Sequence, residues 1–102
     1  MAKEIILYNL APHVTDEEFR EYVDKEKGPL IDSFESVEKY EIVRIDSSAS
    51  GEIPFKYVGI VHLKSLEDFR NRDAQSESYR AFQAKFGPMV SEIHILFGEE
   101  IR

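Results

Sequence analysis

Glu26, His62, Glu92 and His94 are the side chains whose types and spacing could move protons in this sequence. An imidazole titrates near neutrality, and a carboxyl held on an apolar helix stripe has a raised pKa. Together they could pass a proton to and from a carbon centre as general acid and base. His13 stands just before a predicted helix N-terminus, where a charged imidazole is unfavourable, and reads as a solvent-facing turn residue. Tyr8, Tyr22, Tyr40, Tyr57, Phe82 and Phe86 are core candidates; the tyrosines, apolar with a polar tip, also suit a pocket for a flat heteroaromatic ligand. With no cysteine, disulfides, thiolate metal sites and cysteine nucleophiles are excluded. No HxH, HxxE, HExxH, P-loop, GxGxxG or GxSxG spacing occurs, so neither a metal nor a nucleotide site is expected.

These residues must be positioned by a short chain of alternating elements. Lys3 to Leu10 is a nearly continuous run of β-formers, the pattern of a central strand covered on both faces. Thr15 and Glu18 form a capping box, with Val14 and Phe19 as its hydrophobic staple, and start a helix. Its buried stripe of Phe19, Tyr22 and Val23 continues at Glu26, Lys27 and Leu30, before Gly28-Pro29 breaks or kinks it. Val37 to Ile45 is the second strand, with Tyr40, Ile42 and Arg44 on one face and Val43 and Ile45 on the other. A polar hairpin loop follows from Asp46 to Glu52. Phe55 to Leu63 is the third strand, where Gly59 suggests a bulge or a close approach. Ser65 and Asp68 cap the second helical region, packed by Leu66 and Phe69 and then by Tyr79, Phe82, Phe86 and Met89. Gly87-Pro88 closes it, and Val90 to Phe97 is the fourth strand.

Two strand-helix-strand halves of this kind interleave into one α+β domain over residues 1–102, a ferredoxin-like βαββαβ sandwich with antiparallel sheet order 4-1-3-2. In that order the end of the first helix, the end of the third strand and the start of the fourth are expected at one sheet edge. That placement would gather Glu26, His62 and His94, with side chains of the third and fourth strands ~10 Å apart across the first. The alternative for Glu26 is an ion pair with Lys27 or Arg44, or a solvent-facing position at the helix end. Two helices cover only one sheet face, although three strands are apolar on both, so the other face is expected to pack on a second copy as a homodimer.

The formal net charge of -7 opposes binding to phosphate backbones or anionic membranes, and no basic patch offsets it. Lys56 to Leu63 (KYVGIVHL) loosely follows an RNA-recognition strand, but Val58 and Ile60 stand where stacking aromatics are required. Nucleic acid is therefore not an expected partner. The charged start, Met1-Ala2-Lys3-Glu4, leads into only a short apolar run, which fits neither a signal peptide nor a membrane span and suggests a cytoplasmic location.

The segment Phe19 to Leu30 (FREYVDKEKGPL) resembles the first helix of the dimeric α/β-barrel superfamily, with Lys27-Gly28 where that helix often carries His-Ala. The whole chain, from KEIILYNL to SEIHILF, is similar to the RedY-like family of prodiginine pigment biosynthesis. The resemblance implies a homodimer that pairs two sheets into a barrel. It also implies cofactor-free cyclase or dehydratase chemistry on a pyrrole or bipyrrole precursor. On that footing His62 relays the proton and Glu26 is the general acid or base. His94 and Tyr40 orient the substrate, with Tyr8 and Lys27 as further substrate contacts. Two other readings fit the same resemblance: a non-catalytic accessory protein that shields a pathway intermediate, and a cofactor-free or haem-handling monooxygenase.

Overall fold

The computed structural model describes all 102 residues, Met1–Arg102. Strand β1 (Ala2–Leu10) leads into a helical segment made of α1 (Asp16–Tyr22), a π-helical turn (Val23–Lys27) and α2 (Gly28–Ser33). Strands β2 (Val37–Arg44) and β3 (Tyr57–Leu63) follow. Then come α3 (Leu66–Asn71), a 3-10 turn (Asp73–Gln75), α4 (Glu77–Phe86), a second 3-10 turn (Gly87–Met89) and β4 (Val90–Glu99). The four strands form one antiparallel sheet in the order β2-β3-β1-β4, which is the expected 4-1-3-2.

Local signals start the helices where the sequence places them. The Thr15 hydroxyl accepts from the Glu18 backbone N–H, and the Ser65 hydroxyl accepts from that of Asp68. The second helical region is two helices, because Ser76 caps a new start by accepting from the Tyr79 N–H. Each such cap satisfies a backbone donor that has no partner inside the helix. The Gly59 bulge is absent: Gly59 pairs in regular register with Ile6 and Ile42, and the register shifts lie at Val37/Lys39 and Asn9/Leu10. A Cβ at Gly59 would meet Ile6 and Tyr40 only at ordinary contact distance, so neither a bulge nor a close approach requires glycine there.

The Cα envelope of 38 × 33 × 19 Å is thin because one helix layer lies on one sheet face. Two clusters fill that single core. Ile31, Phe34, Val37, Val61, Leu63 and Phe69 form one, and Tyr8, Phe19, Tyr22, Tyr57 and Phe86 the other. Asp73 joins the halves from a buried position, where its carboxylate accepts from the Ser36 backbone N–H and hydroxyl and from Arg72. Those donors hold the Asp73 carboxyl below the usual carboxylate range, the Arg72 bond contributing most.

Pleating then decides which side chains face the helices. Glu4, Ile6 and Tyr8 of β1 pair with Val61, Gly59 and Tyr57 of β3 and look toward the helical layer. Lys3, Ile5 and Leu7, with Val58, Ile60 and His62, look the other way, onto the face no helix covers.

Candidate functional site

The site begins with one extra residue in a helical turn. An unbroken α-helix would carry the buried stripe from Phe19 and Tyr22 to Glu26. Instead the Gly28 N–H donates to the Val23 carbonyl, five residues back, which widens the turn and shifts everything after it by one position. Lys27 therefore enters the core, with 2 % of its surface exposed, and Ile31 follows it inside. Glu26 is displaced to the surface, where its side chain is 54 % exposed and ion-pairs with Lys85 at 2.6 Å. The expected partners of Glu26, Lys27 and Arg44, do not hold it, and the buried ionisable group on this stripe is a cation. Gly28 makes the turn possible, since a Cβ there would stand 2.8 Å from the Val23 oxygen. Pro29, which lacks an N–H, is accommodated at the start of α2 and does not end the helix.

The Lys27 ammonium position is ringed by aromatic faces. Its Nζ lies 3.6 Å from the Phe86 ring centroid and between 5.2 and 5.8 Å from those of Tyr8, Phe19, Phe82 and Tyr40. Glu4, 5 % exposed on the helix-facing side of β1, is the nearest source of opposite charge, yet the amine has no hydrogen-bond partner. Two effects compete for the proton on Nζ. Cation–π attraction favours the charged amine by ~2 kcal/mol when desolvated. Removal of the charge from water costs several kcal/mol and wins. Burial thus pushes the Lys27 amine down to about 7 against the pull of Glu4, and pushes the Glu4 carboxyl up to about 7 against the pull of Lys27. Both groups therefore change charge in the same range near neutral pH, with no hydrogen bond joining them.

The Tyr8 and Tyr40 hydroxyls are also buried without partners. Burial raises both phenols further above their ordinary range, and pushes that of Tyr79 up to about 12. An apolar cavity of about 260 Å³ opens onto Glu4 and Lys27 from between α4 and β4, walled by Ile6, Phe82, Phe86, Val90, Ile93 and Ile95. A small void of about 30 Å³ on the other side of the same pair touches Tyr40 and Tyr79. The cavity exists because no helix covers the inner face of edge strand β4, where Ile95 and Phe97 remain exposed. A wider cleft of about 380 Å³ lies at the outer rim of α1, where Asp16 is paired with Lys56 and Tyr57, and Arg44 with Asp46.

The structure does not assemble Glu26, His62 and His94. Strands β3 and β4 are both antiparallel to β1 and so parallel to each other, which aligns the end of β3 with the end of β4, not its start. His62 stands opposite Lys3, whereas His94 stands opposite Leu7 and Glu92 opposite Asn9. The two histidines share the helix-free face but are separated by four residues along β1, roughly 13 Å. Glu26 lies on the other side of the sheet. His62 bonds Glu41 at 2.6 Å, and the His94 ring packs edge-on against Phe55. Lys27, Tyr8 and Tyr40, by contrast, meet at one place. Glu4 was missed, although its place in phase with Ile6 and Tyr8 on an apolar strand was visible in the sequence. No three His, Asp or Glu side chains converge as a metal site, and no helix is long and apolar enough to cross a membrane.

Sheet order and cavity define an α+β protein of the ferredoxin-like class, with a small apolar chamber between its helical layer and its edge strand. Within that class the chain belongs to the REDY-like protein HapK family, whose model matches residues 2–101. Similar solved structures include HapK from Hahella chejuensis, at 20% identity and TM-score 0.81, covering 99% of this chain and 93% of that one. The hydroxynitrile lyase from Passiflora edulis is similar at 15% identity and TM-score 0.81, covering 95% of this chain and 90% of the lyase. A dimeric ferredoxin-like protein of unknown function from Thermobifida fusca is 18% identical with TM-score 0.74, covering 95% and 88% of the two chains. At these identities the likeness is one of fold. No curated protein matches the sequence.

Proposed function

We propose that the protein is a cofactor-free cyclase or dehydratase of a prodiginine-type pigment pathway that acts on a pyrrole or bipyrrole precursor. Proton transfer is assigned to Glu4 and Lys27, with Phe82 and Phe86 of the cavity wall packing against the ring. Loss of water during ring closure needs an acid for the departing hydroxyl and a base for a carbon-bound proton, both shielded from solvent. The observation that carries the reading is the buried Lys27 amine, free of a hydrogen-bond partner, lining one apolar cavity together with the buried Glu4 carboxyl. Membership of the REDY-like family supports the pathway. This reading moves the acid/base role from Glu26 and His62, which lie on opposite sides of the sheet, to groups that share a chamber.

Incubation with a bipyrrole precursor, followed by mass spectrometry for loss of water, tests it. Glu4→Gln and Lys27→Met are each expected to lower turnover by ~100-fold with folding intact. Loss of turnover in His62→Ala, with both chamber variants active, would place the chemistry on the open sheet face instead. The mostly apolar wall also suits an accessory protein that shields an intermediate, for which saturable binding without product is the expected result.

A further inference from the structure

Lys27 differs from every other lysine of the chain in having its amine enclosed, unpaired and facing a cavity. Lys25, Lys56 and Lys85 carry ion pairs at 2.6–3.0 Å in exposed positions, and Lys3, Lys39 and Lys64 lie within 4 Å of carboxylates. Lys27 has none of these partners, and its stem emerges from the π turn directly beneath the chamber shared with Glu4. An amine that needed only to balance the Glu4 charge would be expected to touch it. We propose that Lys27 is a covalent catalyst, forming an imine with an aldehyde or ketone carbon of the substrate, with Glu4 as the proton carrier. The inference rests on the proposed function and narrows its substrate class to carbonyl compounds.

The chemistry balances with the groups present. The neutral Nζ lone pair forms the C–N bond while the carbonyl π pair moves onto oxygen, which takes the Glu4 proton. The new ammonium nitrogen returns a proton to the Glu4 carboxylate. The nitrogen lone pair then expels the hydroxyl, which takes that proton and leaves as water. An iminium beside a Glu4 carboxylate results, and no oxidant or reductant is consumed. Desolvation keeps the amine nucleophilic near neutral pH. Phe86, Phe82 and Tyr8 face the iminium as they face the amine, so their ring quadrupoles stabilise the cation that the step creates. The iminium makes its own carbon open to attack by a pyrrole carbon and acidifies a C–H on the carbon next to it, whose proton can pass to Glu4.

Borohydride trapping on the intact wild-type protein tests this directly. The protein is incubated at pH 7 with pyrrole-2-carbaldehyde, reduced with sodium borohydride and digested for peptide mapping. A single adduct on the peptide containing Lys27 is expected, formed at least ~10-fold faster than on any surface lysine, which is protonated at this pH. Lys27→Met, which keeps an unbranched apolar stem but has no amine, should lose the adduct, and Glu4→Gln should slow it. Labelling spread over the surface lysines with Lys27 unmodified overturns the proposal. Dehydration of the bipyrrole precursor with no trapped adduct also overturns it and leaves the acid/base reading standing. An adduct without precursor turnover supports the imine and counts only against the pathway.

Discussion

A glutamic acid and a lysine buried in one apolar core are costly residues, and the cost has a pH signature. The unfolded chain ionises Glu4 near 4.5, whereas the folded chain holds its proton to about 7. Between those values the folded state binds more protons, so stability falls as pH rises. For Lys27 the unfolded amine stays protonated to 10.5 and the folded amine only to about 7. There the unfolded state binds more protons, and stability climbs with pH from neutrality upward. The two windows meet near pH 7, where urea denaturation is expected to find a shallow stability minimum. The double variant Glu4→Leu with Lys27→Met should remove that minimum and be ~1–4 kcal/mol more stable at pH 7, as when buried ion pairs are replaced by apolar groups. A variant less stable than wild type would mean that the pair serves the fold and not a reaction.

At the scale of elements, the π turn decides which residue becomes functional. The strands, the Thr15 and Ser65 caps and the stripe of α4 were legible in the sequence because each depends on local patterns of period 2 or 3.6, and strand order followed from the handedness of the crossovers. Tyr40, Ile42 and Arg44 fall on one face of β2 as alternation predicts, and Thr15 and Ser65 cap where their types suggest. A single extra residue in a turn leaves no periodic trace, so helical counting carried Glu26 inward and left Lys27 undistinguished. Gly28-Pro29 was the available signal, readable as a disturbance but not as a one-residue insertion. Substitution of Gly28 makes the difference measurable. In an ordinary helix interior Gly→Ala stabilises by ~1 kcal/mol. Here the added Cβ would stand 2.8 Å from the Val23 oxygen, so Gly28→Ala is expected to destabilise by ~1–3 kcal/mol. It should also turn Lys27 out of its ring of aromatics, read as loss of the neutral-pH minimum. A gain in stability would show that the turn relaxes to an α-helix without strain.

For the whole molecule, the unanswered physical question is what covers the second sheet face. Ile5, Leu7, Val58 and Ile60 lie there, flanked by Val43 at 45% and Leu96 at 51% exposure, with no helix above them. An apolar row along a four-stranded sheet is wider than the scattered exposed side chains of a monomer. The charged groups on this face are largely satisfied within it, His62 by Glu41 and Glu41 also by Lys39, so the face is prepared for burial. Two copies packed sheet to sheet would bury this row and leave each Glu4–Lys27 chamber on the outer, helical side. Leu96→Glu and Val43→Glu place charges at the two ends of the row, where neither side chain supports the monomer core. Light scattering coupled to size exclusion is expected to give twice the chain mass for wild type and one chain mass for the double variant. Borohydride trapping at Lys27 should persist in that monomer. A wild-type monomer at ~100 μM, some ten times the concentration at which a Kd of ~10 μM would hold a dimer, would leave the apolar face without the partner inferred for it.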